Sequence, residues 1–170
     1  MKKILILIPL LIFSLSFSQG TLYINNYSDY GLQMRISAAS PTNCFPLVYT
    51  SMSFPANTQS KISDFNNATP YTNSWSIIFN YNGNIVGQPI PSPVLNTVSP
   101  LTQWQECQFM TMDNNNPNQP TDDIRFEMGD PTAFANCTPT SGSTFVDGNL
   151  TDAFWFYVPS QNATYLVVQP

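Results

Sequence analysis

The chain contains no histidine. That absence removes a Ser-His-Asp or Cys-His nucleophile system and any histidine-based metal hydrolase. Charge is scarce as well, with charged residues at 9% of the sequence against about 25% in ordinary soluble domains. Solubility has to come from Asn, Gln, Ser and Thr. Beyond Lys2 and Lys3, the only cations are Arg35, Lys61 and Arg125, which face ten acids and leave a net charge of −7. Such a surface repels phosphate backbones and anionic membranes, which excludes nucleic acid as a partner. There are only three cysteines, Cys44, Cys107 and Cys137. They lie far from any CxxC spacing, so neither structural zinc nor another metal is expected, and no cofactor motif is present.

What is present begins with an export signal. Lys2 and Lys3 form a basic start, Ile4 to Phe13 is almost unbroken aliphatic sequence around Pro9, and Ser16-Phe17-Ser18 places small residues before Gln19. This is the three-part grammar of a secretory signal peptide cleaved after Ser18. The apolar run is shorter than the roughly 20 residues that a membrane-spanning helix needs. No second apolar run follows, so no transmembrane segment is expected after cleavage. The first cysteine is Cys44, too far on for a lipid-anchored leader. The expected organisation is a signal peptide at residues 1–18 and a single domain at 19–170, long enough to build its own core. The leader resembles those of exported bacterial proteins. That resemblance implies a compartment (periplasm, cell surface or medium) and no activity.

Aromatic residues reach 14%, which a disordered polar chain would lack. Strand-like runs recur every dozen or so residues. In Gly31–Ala39, Leu32, Met34, Ile36 and Ala38 alternate with Gln33, Arg35 and Ser37, the period of a half-buried strand. Trp75–Tyr81 and Asn84–Gln88 flank Asn82-Gly83, which predicts a hairpin with a type I′ turn. Pro89, Pro91, Pro93 and Pro100 mark a loop or edge crossing, and Asp113–Asp123 reads as an exposed loop. No helical periodicity persists over a dozen residues. The expected fold is all-β: an antiparallel β-sandwich, jelly-roll or Ig-like, of about ten short strands.

Three cysteines in an oxidising compartment imply one disulfide and a spare thiol, with three pairings open. Cys107–Cys137 is the expected one, because it closes the Asn/Pro-rich segment between them. Among catalytic options only a carboxylate pair acting on sugars survives. Glu106 and Glu127 are the only glutamates. Glu127 shares a strand face with Arg125, and Glu106 lies between Trp104 and Gln108. Asp113, Asn115, Asp122 and Asp123 offer oxygen ligands, but Pro117 and the missing glycine break the pattern of a calcium loop.

The aromatic residues suggest recognition instead. Trp75, Trp104 and Trp155, with Tyr23, Tyr27, Tyr71, Tyr81, Phe154, Phe156 and Tyr157, are many for this size. Rings beside amides are how a β-sandwich commonly holds a sugar. Ala153–Val158 is apolar on both faces of a strand, either because a loop covers its second face or because that face binds something. The expected ligand residues are Trp75, Trp104, Trp155 and Tyr157. The expected function is a non-catalytic exported module that binds glycan or a cell-surface protein. A self-assembling surface subunit is the alternative, and a carboxylate-pair glycosidase comes last.

Overall fold

A computed structural model describes residues 19–121, 123–135, 137 and 142–170. The strands in chain order are β1 (Thr21–Asn26), β2 (Gly31–Ala39), β3 (Leu47–Phe54), β4 (Thr58–Ile62), β5 (Ser74–Ile78) and β6 (Ile85–Pro89). After the short helix α1 (Pro93–Val98) come β7 (Gln103–Asp113), β8 (Asn116–Pro120), β9 (Phe126–Gly129), β10 (Phe145–Asp147), β11 (Asp152–Val158) and β12 (Ala163–Gln169). The leader falls outside the described residues.

The strands form two sheets. One runs β10-β11-β12-β1-β4; the other runs β6-β5-β3-β2-β7-β8, with β9 also on β7. Pairing is antiparallel except for β1 beside β12, which is parallel. The inward residues alternate along each strand. Leu22, Ile24, Trp155 and Leu166 from the first sheet meet Leu32, Ile36 and Phe109 from the second in one buried cluster. The alternation read in β2 is observed from Leu32 to Ile36, with Leu32, Met34 and Ile36 buried and Gln33 and Arg35 exposed, whereas Ser37 in the strand's second half is buried as well.

Three local readings need correction. The β5–β6 hairpin forms, but Ile78 pairs with Ile85 and six residues connect them. The tight turn closes from Gly83 N–H to Asn80 O at 2.8 Å, so Tyr81 and Asn82 are central, and neither Asn82 nor Gly83 has the positive φ that a type I′ turn requires. Within the proline-rich stretch, α1 starts because the Ser92 hydroxyl accepts the Val94 N–H and Pro93 sits at the first helical position. The Asn/Pro-rich segment contains β8, which pairs with the end of β7.

The disulfide also differs from the expected one. Cys44 bridges to Cys137 with a Cα–Cα distance of 5.3 Å, and Cys107 is free and buried. Cys107 points inward from the middle of β7, opposite Ile36, where no loop cysteine can reach it. Cys44 sits instead in the β2–β3 loop at φ 68°. The bridge spans 93 residues, and closing a loop of that length contributes about 4–5 kcal/mol on a chain-entropy account. Burial pushes the Cys107 thiol well above its ordinary range, and the nearby Glu106 charge adds to the shift. A thiol reagent should therefore find no reactive group in the native protein, one after denaturation without reductant, and three after reduction. Labelling of Cys44 or Cys137 in the denatured, unreduced chain would contradict this pairing.

Candidate functional site

The outer face of the five-stranded sheet carries an aromatic ladder. Across the strands, Phe156 on β11 pairs with Tyr165 on β12, which pairs with Tyr23 on β1, which pairs with Lys61 on β4. The three rings stack in sequence. Phe156 and Tyr165 have centroids 5.1 Å apart at 9° between planes, and Tyr165 and Tyr23 are 4.7 Å apart at 8°. Near-parallel rings this close cannot lie flat side by side; they overlap face to face with an offset. The ladder therefore turns ring edges, more than ring faces, toward solvent. The next row begins with Phe145 and Phe154, at 4.9 Å, and continues through Val167 to Asn25. Phe145 and Phe156 are 47% and 44% exposed, so this second face of β11 is not covered. The Tyr165 hydroxyl donates to Gln161 Oε1 at 2.6 Å, which fixes the rim of the patch.

The expected ligand residues lie elsewhere. Trp75, Trp104 and Trp155 are all at most 3% exposed and cannot stack on a ligand. Two of them satisfy their indole N–H on backbone carbonyls: Trp75 on Phe65 at 2.9 Å and Trp104 on Gly20 at 3.1 Å. Phe65, Trp75 and Trp104 then pack as one aromatic cluster inside. Tyr157 is exposed, but it follows the inward parity of Trp155 at the strand's end and donates its hydroxyl to Asn162 Oδ1. It is not part of the ladder. Of the aromatic residues noted in the sequence, Tyr23, Phe154 and Phe156 do join it. Tyr165 and Phe145 were missed, although Tyr165 alternates with the buried Thr164 and Leu166.

The two glutamates meet on the outer face of the other sheet. Glu106 lies opposite Gly129, and Gln108 lies opposite Glu127, so the glutamates are diagonal neighbours on adjacent strands. A bulge puts Glu106 there. Ser37 pairs with Glu106 but Ala38 pairs with Trp104, leaving Gln105 as an extra residue. Trp104 thus turns inward while Glu106 faces out, and the two do not share a face as simple alternation implies. A Cβ at Gly129 would sit 3.0 Å from the Gln105 carbonyl, so glycine lets β9 close on the bulge. Arg35 lies in the neighbouring row, stacked over the Tyr49 ring at 4.4 Å. Arg125 donates to Gln108 Oε1 at 2.8 Å.

No known protein family, curated protein or solved structure matches this chain.

Function therefore has to be argued from these two faces. The ladder offers contiguous apolar contact. On the other face, burial holds the Glu106 carboxyl above its usual range, partly offset by Arg35 and reinforced by Glu127. Among the described residues no group of three His, Cys, Asp or Glu could hold a metal. Asp122 lies outside the described residues. Asp123 spends its oxygens on the Ile124 and Asn149 N–H groups and the Thr151 hydroxyl. Among the described residues no helix is long and apolar enough to cross a membrane.

A carboxyl raised in the folded state binds its proton more tightly there than in the unfolded chain. Its stabilising contribution is present below the unfolded value, about 4.3, and is lost as pH rises through the folded value. Glu106→Gln should therefore flatten the fall of the thermal midpoint as pH rises above the ordinary carboxylate range and raise the midpoint at neutral pH. An unchanged pH profile would show that Glu106 is not the group responsible.

Proposed function

We propose that this chain is an exported, non-catalytic binding module, a β-sandwich of jelly-roll or Ig-like type. It presents the outer face of its five-stranded sheet to a cell-surface protein. The observation that carries this reading is the ladder of Phe156, Tyr165 and Tyr23 continued by Phe145 and Phe154, in which Phe145 and Phe156 are exposed and the other rings half-buried. Monomeric soluble proteins rarely leave contiguous aromatic surface of this kind uncovered. Its composition, Tyr and Phe at the centre with Asn25, Gln59, Lys61 and Gln169 around them, follows the pattern of an apolar centre with a polar rim seen in protein interfaces. A glycan ligand fits less well, because the tryptophans are interior and the ladder rings cover one another's faces. The Cys44–Cys137 disulfide and the leader grammar support export.

The test compares the mature chain with a Phe156→Ser/Tyr165→Ser variant in binding to envelope proteins and to a glycan array. A protein partner held by the ladder predicts saturable binding to an envelope protein that weakens at least about tenfold in the variant, with the fold retained by circular dichroism. Equal binding by both forms would overturn the reading. Binding on the glycan array alone would make the ligand a sugar. Concentration-dependent association abolished by the same change would make the partner a second copy.

The juxtaposition of Glu106 and Glu127 favours a second reading, a carboxylate-pair glycosidase in which Glu106 supplies the proton to the leaving oxygen and Glu127 the base or nucleophile. It requires sugar release by the wild type that disappears in Glu106→Gln.

A further inference from the structure

Gln19 stands two residues before β1 and is buried. Its side chain lines a cavity of about 50 Å³ shared with Trp104, Phe134 and Trp155. The amide oxygen accepts a hydrogen bond from the Ser99 hydroxyl. The amide nitrogen Nε2 is buried without a hydrogen-bond partner, although it carries two donors. The adjoining backbone holds the residue in place. Gly20, at φ +74°, has room for no side chain, since a Cβ would lie 2.7 Å from the Asn162 carbonyl. Its own carbonyl receives the Trp104 indole N–H, and the Thr21 N–H donates to Asn162 O at 2.9 Å. An unsatisfied buried donor in so committed a setting calls for an explanation.

The leader grammar places the cleavage junction between Ser18 and Gln19. Cleavage there makes Gln19 the first residue and frees its α-amine within reach of its own side-chain amide. We propose that Gln19 is a modification site and that the exported chain begins with pyroglutamate. The α-amine attacks the side-chain Cδ, the new N–Cδ bond closes a five-membered lactam, and the Cδ–Nε2 bond breaks. Nε2 leaves as ammonia, taking a proton from the attacking amine. Nothing is oxidised or reduced and no co-reactant is consumed. The step discards the nitrogen that has no partner and keeps the carbonyl that Ser99 holds. This inference rests on the export reading of the leader.

The test is the intact mass and N-terminal peptide sequence of the chain, isolated from the cells that produce it. The expected terminal peptide begins at residue 19, has a mass about 17 Da below that of the free glutamine form, and resists stepwise N-terminal degradation until a pyroglutamyl peptidase is added. The Gln19→Ala chain, cleaved at the same bond, should show a free amine. A terminal peptide that begins with unmodified Gln19 would overturn the modification and leave the export reading standing. A start at another residue would overturn the modification alone, and a retained leader would overturn both.

Discussion

One register governs the surface on which the functional reading depends. β12 pairs antiparallel with β11 and parallel with β1, and in both ladders Tyr165 is the residue in line with an aromatic partner. Because side chains alternate with a period of two, a slip of one residue in either pairing would send Tyr165 inward and bring Leu166 out. The register is pinned from the other side of the sheet. Leu22, Ile24, Trp155, Leu166 and Val168 are all buried, and moving any of these strands by one residue would expose them together. The aromatic ladder is thus fixed by the core behind it. Ring stacking adds about 0.5–1.5 kcal/mol per pair, less than the cost of exposing that core.

The second sheet is organised by the bulge at Gln105. Without the extra residue, the inward parity of Cys107 and Phe109 would place Trp104 on the outer face. With it, Trp104 enters the aromatic cluster with Phe65 and Trp75 and hydrogen-bonds to Gly20, which ties β7 to the start of β1 in the other sheet. The same bulge leaves Glu106 outside near Arg35 and Glu127. Sheet edges are handled locally. β8 carries Pro117 and Pro120, which cannot donate to a neighbouring strand, whereas β6 keeps Ile85 and Val86 exposed and ends at Pro89.

Strands that bury one face were legible because alternation is written into them, as in Gly31–Ala39. The two apolar faces of Ala153–Val158 were legible too. The parity of Trp155 against Phe154 and Phe156 separated two apolar sets, but left open whether a loop covers the second one. Tryptophan drew attention as the largest ring, yet its size is also why the core takes it. The bulge left no mark in the sequence, since one added residue shifts parity without any change in composition. The disulfide could not be read because strand parity makes Cys107 interior, a fact that emerges only once β7 has its partners. In the proline-rich stretch, Ser92-Pro93 held a helix start that the neighbouring prolines obscured.

The central claim is that the ladder face is bare in the isolated chain and covered in its working setting. Hydroxyl-radical footprinting of the purified chain and of the same chain in the envelope of the producing cell addresses it directly. The account predicts that Phe145, Phe156 and Tyr165 are oxidised in the purified chain and protected in the envelope, while Trp75, Trp104 and Trp155 resist oxidation in both. Equal oxidation of the ladder rings in the two settings would contradict it.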